Sequence, residues 1–217
     1  MIVSILKFIW LRCALIILAC LVIVTLVTLM RPFEYQSAVK LYILDSSSVT
    51  GDYYTTTRGL EKVADTLGRV LYTDSFFRQV VKPSYSKLQP EMFGKYDDVQ
   101  RKKWRKSIAV NVVPGTSIME IKTYAITRDQ AKAMAIAISS VLVNNSGEYI
   151  GERSPLKVKE IDSVLTSLRP ARPNIWKNLV FGLIAGFAIS ALWSYLAIER
   201  VFKKQEEAGK QATIDII

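Results

Sequence analysis

A small α/β domain carried between two transmembrane helices is the fold that three features of the sequence predict. Two long runs, Cys13 to Met30 (CALIILACLVIVTLVTLM) and Leu179 to Ile198 (LVFGLIAGFAISALWSYLAI), contain no charged residue. Between them the apolar residues fall instead at strand and helix spacing, as in a globular domain with its own core. That interval reads in the order strand, helix, hairpin, helix, strand, which predicts a small mixed sheet with helices on one face.

Each uncharged run is close to the length of about 20 residues that crosses a bilayer's hydrocarbon layer as a helix. A helix also pairs its own backbone groups where no water is available to do so. Two spans return the chain to the side on which it began. The organisation predicted is an N-terminus over 1–12, a first span over 13–30, an outer domain over 31–168, a proline-rich arm over 169–178, a second span over 179–198 and a tail over 199–217. Lys7 and Arg12 precede the first span, and Arg200, Lys203, Lys204 and Lys210 follow the second. Basic residues on short flanks favour the cytoplasm, so both termini are expected there and the domain outside. Arg31 and Lys177 run against that bias. A cleaved leader fits the first run less well: it is too long for an h-region, and no small-x-small pattern precedes Arg31.

In the domain, Tyr35–Leu44 is rich in β-branched and aromatic residues and predicts a strand. Ser46–Thr57 is polar and predicts a loop. From Thr57 to Val81 the residues Leu60, Val63, Ala64, Leu67, Val70 and Leu71 share a helical face, with a break expected at Thr73-Asp74-Ser75. Pro83–Pro90 predicts a second loop. Asp97–Lys106 (DDVQRKKWRK) predicts a short polar helix, acidic at its start and basic at its end as the helix dipole favours. Ile108–Val113 and Ile118–Tyr124 flank Pro114-Gly115-Thr116, a hairpin signal. Thr127-Arg128-Asp129-Gln130 fits a capping box. It opens an alanine-rich helix burying Ala131, Met134, Ala135, Ile138, Val141 and Leu142. Pro155–Asp162 predicts the last strand.

The composition excludes much chemistry. The chain of 217 residues has no histidine, which removes the usual general base and the commonest metal ligand. Its two cysteines, Cys13 and Cys20, both lie in the first apolar run, so the domain has no thiolate site. No catalytic residue, metal or cofactor is expected, and acidic pairs such as Asp97-Asp98 resemble no active-site constellation. The net charge of +10 comes without a stacking motif, zinc pattern or recognition helix, so nucleic acid is not an expected partner. The densest cationic cluster is Arg101, Lys102, Lys103, Arg105 and Lys106. It is either a contact for an anionic polymer or lipid headgroups, or a solvated helix face.

Four stretches resemble the chain-length determinant family, the Wzz-type polysaccharide co-polymerases. The first is a span followed closely by Tyr35-Gln36-Ser37-Ala38-Val39, similar to the family's Y-x-S-x-V strand. The second is Thr73-Asp74-Ser75-Phe76-Phe77-Arg78-Gln79-Val80, at the end of a helix. The third is the hairpin followed by Thr127-Arg128-Asp129-Gln130-Ala131. The fourth is Leu168-Arg169-Pro170-Ala171-Arg172-Pro173-Asn174-Ile175-Trp176-Lys177, which runs into a glycine-bearing span. It resembles the family's Pro-x-x-Pro-x-x-Pro through Pro170 and Pro173, with Trp176 where the third proline would stand. Prolines fix φ and remove donors, so this segment reads as a stiff extended arm, the alternative being a plain linker. Gly182, Gly186, Ser190 and Ser194 then recur at a four-residue interval, a stripe suited to close helix packing in lipid.

The resemblance implies a non-catalytic regulator of bacterial surface polysaccharide polymerisation, chain length or export, lying in the cell (inner) membrane. The polysaccharide would be lipopolysaccharide O-antigen, capsule or exopolysaccharide. It implies a homo-oligomer, assembled in part through that stripe, with a polysaccharide polymerase or the growing polymer as partner. The chain departs from the long members of the family in having only a short segment, Lys82–Lys106, where they carry an extended helical arm. It also lacks the Gly-x-x-x-x-Gly-Lys-Ser/Thr of relatives fused to a tyrosine kinase. In size it resembles the separate membrane adaptors that work with such kinases. On that second reading, Thr213, Ile214, Ile216 and Ile217 of the tail would dock on a cytoplasmic tyrosine kinase.

Overall fold

The computed structural model describes the backbone of residues 2–45, 53–82, 88, 90–151 and 155–214, and the side chains of residues 10–45, 56–82, 88, 90–151 and 155–200. Of the predicted loops Ser46–Thr57 and Pro83–Pro90, residues 46–52, 83–87 and 89 fall outside these residues. Two compact units emerge: one is Phe33–Arg172, the other Met1–Pro32 with Pro173–Ile217. The second unit pairs two long helices, α1 (Ile2–Leu29) and α6 (Ile175–Ile214). Both are long and apolar enough to cross a membrane.

The Phe33–Arg172 unit runs β1 (Tyr35–Asp45), α2 (Tyr53–Val70), α3 (Asp74–Val80), a 3-10 turn at Pro90–Phe93, α4 (Asp97–Ser107), β2 (Ile108–Val112), β3 (Ile118–Ala125), α5 (Arg128–Ile150) and β4 (Leu156–Thr166). The sheet order is β2-β3-β1-β4, and every neighbouring pair is antiparallel. The expectation of a mixed sheet is therefore corrected. The two helical crossovers do join strands of like direction, as a parallel pair requires. Each such pair is split by another strand, β3 between β1 and β2, and β1 between β3 and β4. This is the split β-α-β arrangement.

Alternation along the strands fixes the two faces. Ser37, Val39, Leu41 and Ile43 of β1 and Met119, Ile121 and Thr123 of β3 are buried against the helices. The other face carries Lys40 paired with Asp162 at 3.7 Å and Lys122 paired with Glu120 at 3.0 Å. Gly68 of α2 permits a close approach: a Cβ there would stand 3.1 Å from Val110 of β2.

Helix boundaries follow local chemistry. Thr73, extended at φ −81° and ψ 156°, interrupts the helical run and caps α3 by accepting from the Phe76 amide. Thr127 caps α5 in the same way through the Gln130 amide at 3.3 Å. The six apolar residues expected to be buried on α5 are all buried, and Met134, Ala135, Ile138, Val141 and Leu142 belong to the core cluster. That helix kinks at Asn145 and ends at Gly151, whose φ of 112° suits glycine. At the hairpin, Gly115 takes φ 71°, and the Thr116 amide donates to the Val113 carbonyl. Two elements differ from expectation at their ends. α2 begins at Tyr53, ahead of Thr57, and β4 runs on to Thr166, past Asp162. β1 supplies pairing partners over that whole length, with register shifts around Lys40 that keep both ends matched.

Candidate functional site

The cationic cluster sits on α4, which holds to the domain through one buried side chain, Trp104. Its indole packs against Phe77 and Phe93, with ring centroids 5.2 and 5.6 Å away, and donates to the Leu71 carbonyl at 2.8 Å. The five cations surround that anchor and are exposed. They do not act alike. Arg101 lies 3.7 Å from Asp74, and Arg105 donates from Nε to the Tyr72 carbonyl at 3.2 Å. The side chains of Lys102, Lys103 and Lys106 form no ion pair among the described residues. The surface available to an anion is thus the lysine part of the cluster.

An ion network ties α4 to α3. Arg78 donates from Nε to Asp74 at 2.9 Å and from Nη2 to Asp97 at 3.1 Å. The hydrogen bond from Arg78 holds the Asp74 carboxyl below its ordinary value; partial desolvation opposes this, and the charges of Arg78 and Arg101 add to it. A carboxyl whose value is lower in the folded state stabilises the fold above its unfolded value and loses that contribution as pH falls through the folded one. The contribution is small because the groups are exposed. Thermal unfolding of wild type and Asp74→Asn should therefore differ near neutrality and converge as the pH is lowered from about 4 to about 2. A difference that persists at the acid end would mean that the carboxylate charge is not what matters.

The proline-rich segment does not stand free of the domain. Ser167 donates its amide to Gln36 at 2.8 Å, and Ala171 and Arg172 donate theirs to Glu34 at 2.8 and 3.2 Å. Glu34 returns its own amide to the Arg172 carbonyl at 2.9 Å. Pro170 lies between these bonded amides, where its missing N–H costs the pairing nothing. The segment up to Arg172 thus extends the sheet alongside the start of β1. Pro173 follows, and Asn174 then caps α6 by accepting from the Lys177 amide at 3.2 Å.

Arg172 fastens this pairing, and nothing in the sequence pattern singled it out. Its guanidinium stacks on the Tyr124 ring at 3.4 Å from the centroid, lies 3.7 Å from the Glu34 carboxylate and donates to the Lys106 carbonyl at 2.9 Å. One side chain so joins the start of β1, the end of β3, the end of α4 and the chain's exit. A second polar cluster was equally hidden. Gln79 of α3 donates to Glu148 of α5 at 3.0 Å and accepts from the Tyr149 hydroxyl, while Asn145 at the kink donates to Glu148 at 3.1 Å. Burial, then the neighbouring Glu148 charge, push the Tyr149 phenol above its ordinary value.

In the paired-helix unit the small-residue stripe faces α1 of the same chain. A Cβ on Gly182 would lie 3.1 Å from the Val24 side chain, and one on Gly186 3.1 Å from the Ile17 Cα. Ser190 is buried, with its hydroxyl bonded to the Phe187 carbonyl, and Ser194 lies 3.1 Å from the Cys13 sulfur. Asn178 donates to Thr28 at 3.0 Å near one end, and Arg12 lies over the Trp193 ring at 5.6 Å near the other. The stripe is consumed within the chain. Assembly of copies through it, the expectation above, would require this packing to open. Of the tail residues, Thr213 and Ile214 close the backbone of α6, while Ile216 and Ile217 lie outside the described residues.

No protein-family model matches this chain. No curated protein matches it either.

Proposed function

We propose that the chain is a two-pass membrane protein whose domain regulates bacterial surface polysaccharide polymerisation, chain length or export without catalysing a reaction. The resemblance of its four stretches to Wzz-type co-polymerases suggests the class. The observation that carries the reading is the closed base of the domain. Glu34 and Arg172, the two ends of the domain's chain, are hydrogen-bonded to one another, and each is within a few residues of a helix long enough to cross a bilayer. A module tethered in this way at both ends acts by position. In this proposal α1 and α6 span the inner membrane, the termini are cytoplasmic, and Lys102 and Lys103 offer an anionic polymer its first contact.

Deleting the gene in its host should shift the length distribution or the surface amount of a polysaccharide, resolved on gels, and plasmid-borne wild type should restore it. Unchanged length and amount of every surface polymer would end this reading. The signalling alternative draws on one feature: α6 continues unbroken from its apolar part to Ile214, a rod of about 60 Å at 1.5 Å per residue. Removing residues 213–217 would abolish phosphorylation of a kinase partner on that reading and leave it unchanged on the first.

A further inference from the structure

One end of the sheet carries a surface that neither the core nor the ion networks explain. The register defines that end: Tyr35 lies opposite Ala125, Ile108 opposite Thr123, and Ser167 donates to Gln36. Just beyond these pairs, at the ends of adjacent strands, stand three large apolar side chains open to solvent: Phe33, Ile126 and Leu168, exposed by 42%, 66% and 77%. Single exposed apolar residues are ordinary; three at the ends of neighbouring rows make this end of the sheet apolar. Lys106, Arg128 and Arg169 are exposed at the same end, and their side chains form no ion pair among the described residues. Of the nearby acids, Glu34 is held by Arg172, and Asp129 beside Arg128 is exposed, so the cations outnumber the open carboxylate three to one.

This is also the end at which the chain leaves for both long helices. Phe33 follows Leu29, the last residue of α1, by a short link, and Arg172 precedes Ile175, the first of α6, by another. An extended link of that size spans at most about 14 Å at roughly 3.5 Å per residue. The polar headgroup zone is itself roughly 5–7 Å deep on each side of a bilayer. If α1 and α6 span a membrane, chain geometry holds this end at its surface.

We propose that this end of the domain seats on anionic lipid headgroups. Phe33, Ile126 and Leu168 enter the boundary between headgroups and acyl chains, and Lys106, Arg128 and Arg169 meet the lipid phosphates. The inference rests on the two-span reading. A second copy of the chain fits less well, because like charges would face each other. An acidic polymer would satisfy the cations and leave the apolar side chains in water.

The test uses the full chain with Cys13→Ser, Cys20→Ala and Leu168→Cys, labelled at position 168 with a polarity-sensitive fluorophore. It is reconstituted in vesicles of phosphatidylcholine alone or with about a third phosphatidylglycerol. Quenching by headgroup-spin-labelled lipid should be at least about twofold stronger with phosphatidylglycerol and should fall back at high salt. A triple variant, Lys106→Gln, Arg128→Gln and Arg169→Gln, should lose the difference. Ile126→Cys provides an independent probe should the label at 168 disturb the fold. A control label at Phe187→Cys on α6 must be quenched by acyl-chain-labelled lipid in every vesicle; failure there overturns the two-span reading. If that control holds and position 168 stays in water with phosphatidylglycerol present, the seating is wrong. Shielding that ignores lipid charge and grows with protein-to-lipid ratio would identify a second copy and overturn it. Shielding that appears only when soluble polygalacturonate is added would identify an acidic polymer, with the same consequence.

Discussion

Trp104→Ala should destabilise the Phe33–Arg172 domain by about 3–5 kcal/mol, the largest effect expected from a single substitution in it. The indole is wholly buried and completes a three-ring cluster in which Phe77 and Phe93 themselves meet edge to face at 5.3 Å. Truncation removes the transfer free energy of a large side chain and leaves a void between two aromatic rings that cannot both collapse into it. It also strips the Leu71 carbonyl, at the end of α2, of its 2.8 Å donor. Set against a whole-domain stability of about 5–15 kcal/mol, this loss is a large fraction. The melting temperature of the full chain in detergent should fall by roughly 10–20 °C. Trp104→Phe keeps most of the packing and loses the hydrogen bond, so its fall should be clearly smaller. Trp104 is also the sole buried residue of α4, so the alanine variant should release the basic helix and make its backbone amides exchange rapidly. A melting temperature within a few degrees of wild type would show that α4 is held by something other than this anchor.

What the sequence made legible follows from which interactions are local. Helical spacing on α2 and α5, strand alternation on β3 and the Thr127 cap are read from neighbours a few residues apart, and the structure has each of them. The order of elements was legible for the same reason. Sheet order was not: whether β3 inserts between β1 and β2 depends on contacts distant in sequence, so the crossovers alone suggested parallel pairs. Trp104 stood in a helix of charges whose pattern gave no sign of an aromatic pocket, because Phe77 and Phe93 lie on other elements. Arg172 had been one of the variable positions between two prolines. Its partners Glu34, Tyr124 and Lys106 come from three separate parts of the chain, and no local signal could have assembled them. The four-residue stripe of α6 was legible as a packing surface, whereas the partner it packs on was not.

That partner is the subject of the second large effect. Gly186→Leu should separate α1 from α6. Where lipid replaces water, no hydrophobic gain draws two helices together, and their association rests on close backbone packing and on polar contacts across the seam. At Gly186 even a Cβ would stand 3.1 Å from a backbone atom, the Ile17 Cα, and 3.4 Å from the Cys20 Cβ. A backbone atom cannot turn aside as a side-chain tip can, so the bulk of leucine must be accommodated by the helices moving apart. The 3.1 Å contact between Cys13 and Ser194 provides the gauge. In a Cys20→Ala background, Ser194→Cys should form a disulfide with Cys13 on mild oxidation, yielding a monomer of altered mobility on a non-reducing gel. Adding Gly186→Leu should reduce that product several-fold, whereas Gly182→Ala, which adds only a methyl group opposite Val24, should reduce it less. A product of doubled mass from the Gly186 parent would place the stripe between copies rather than within one. Undiminished intrachain product from Gly186→Leu would mean that this seam tolerates bulk and that the small residues serve another purpose.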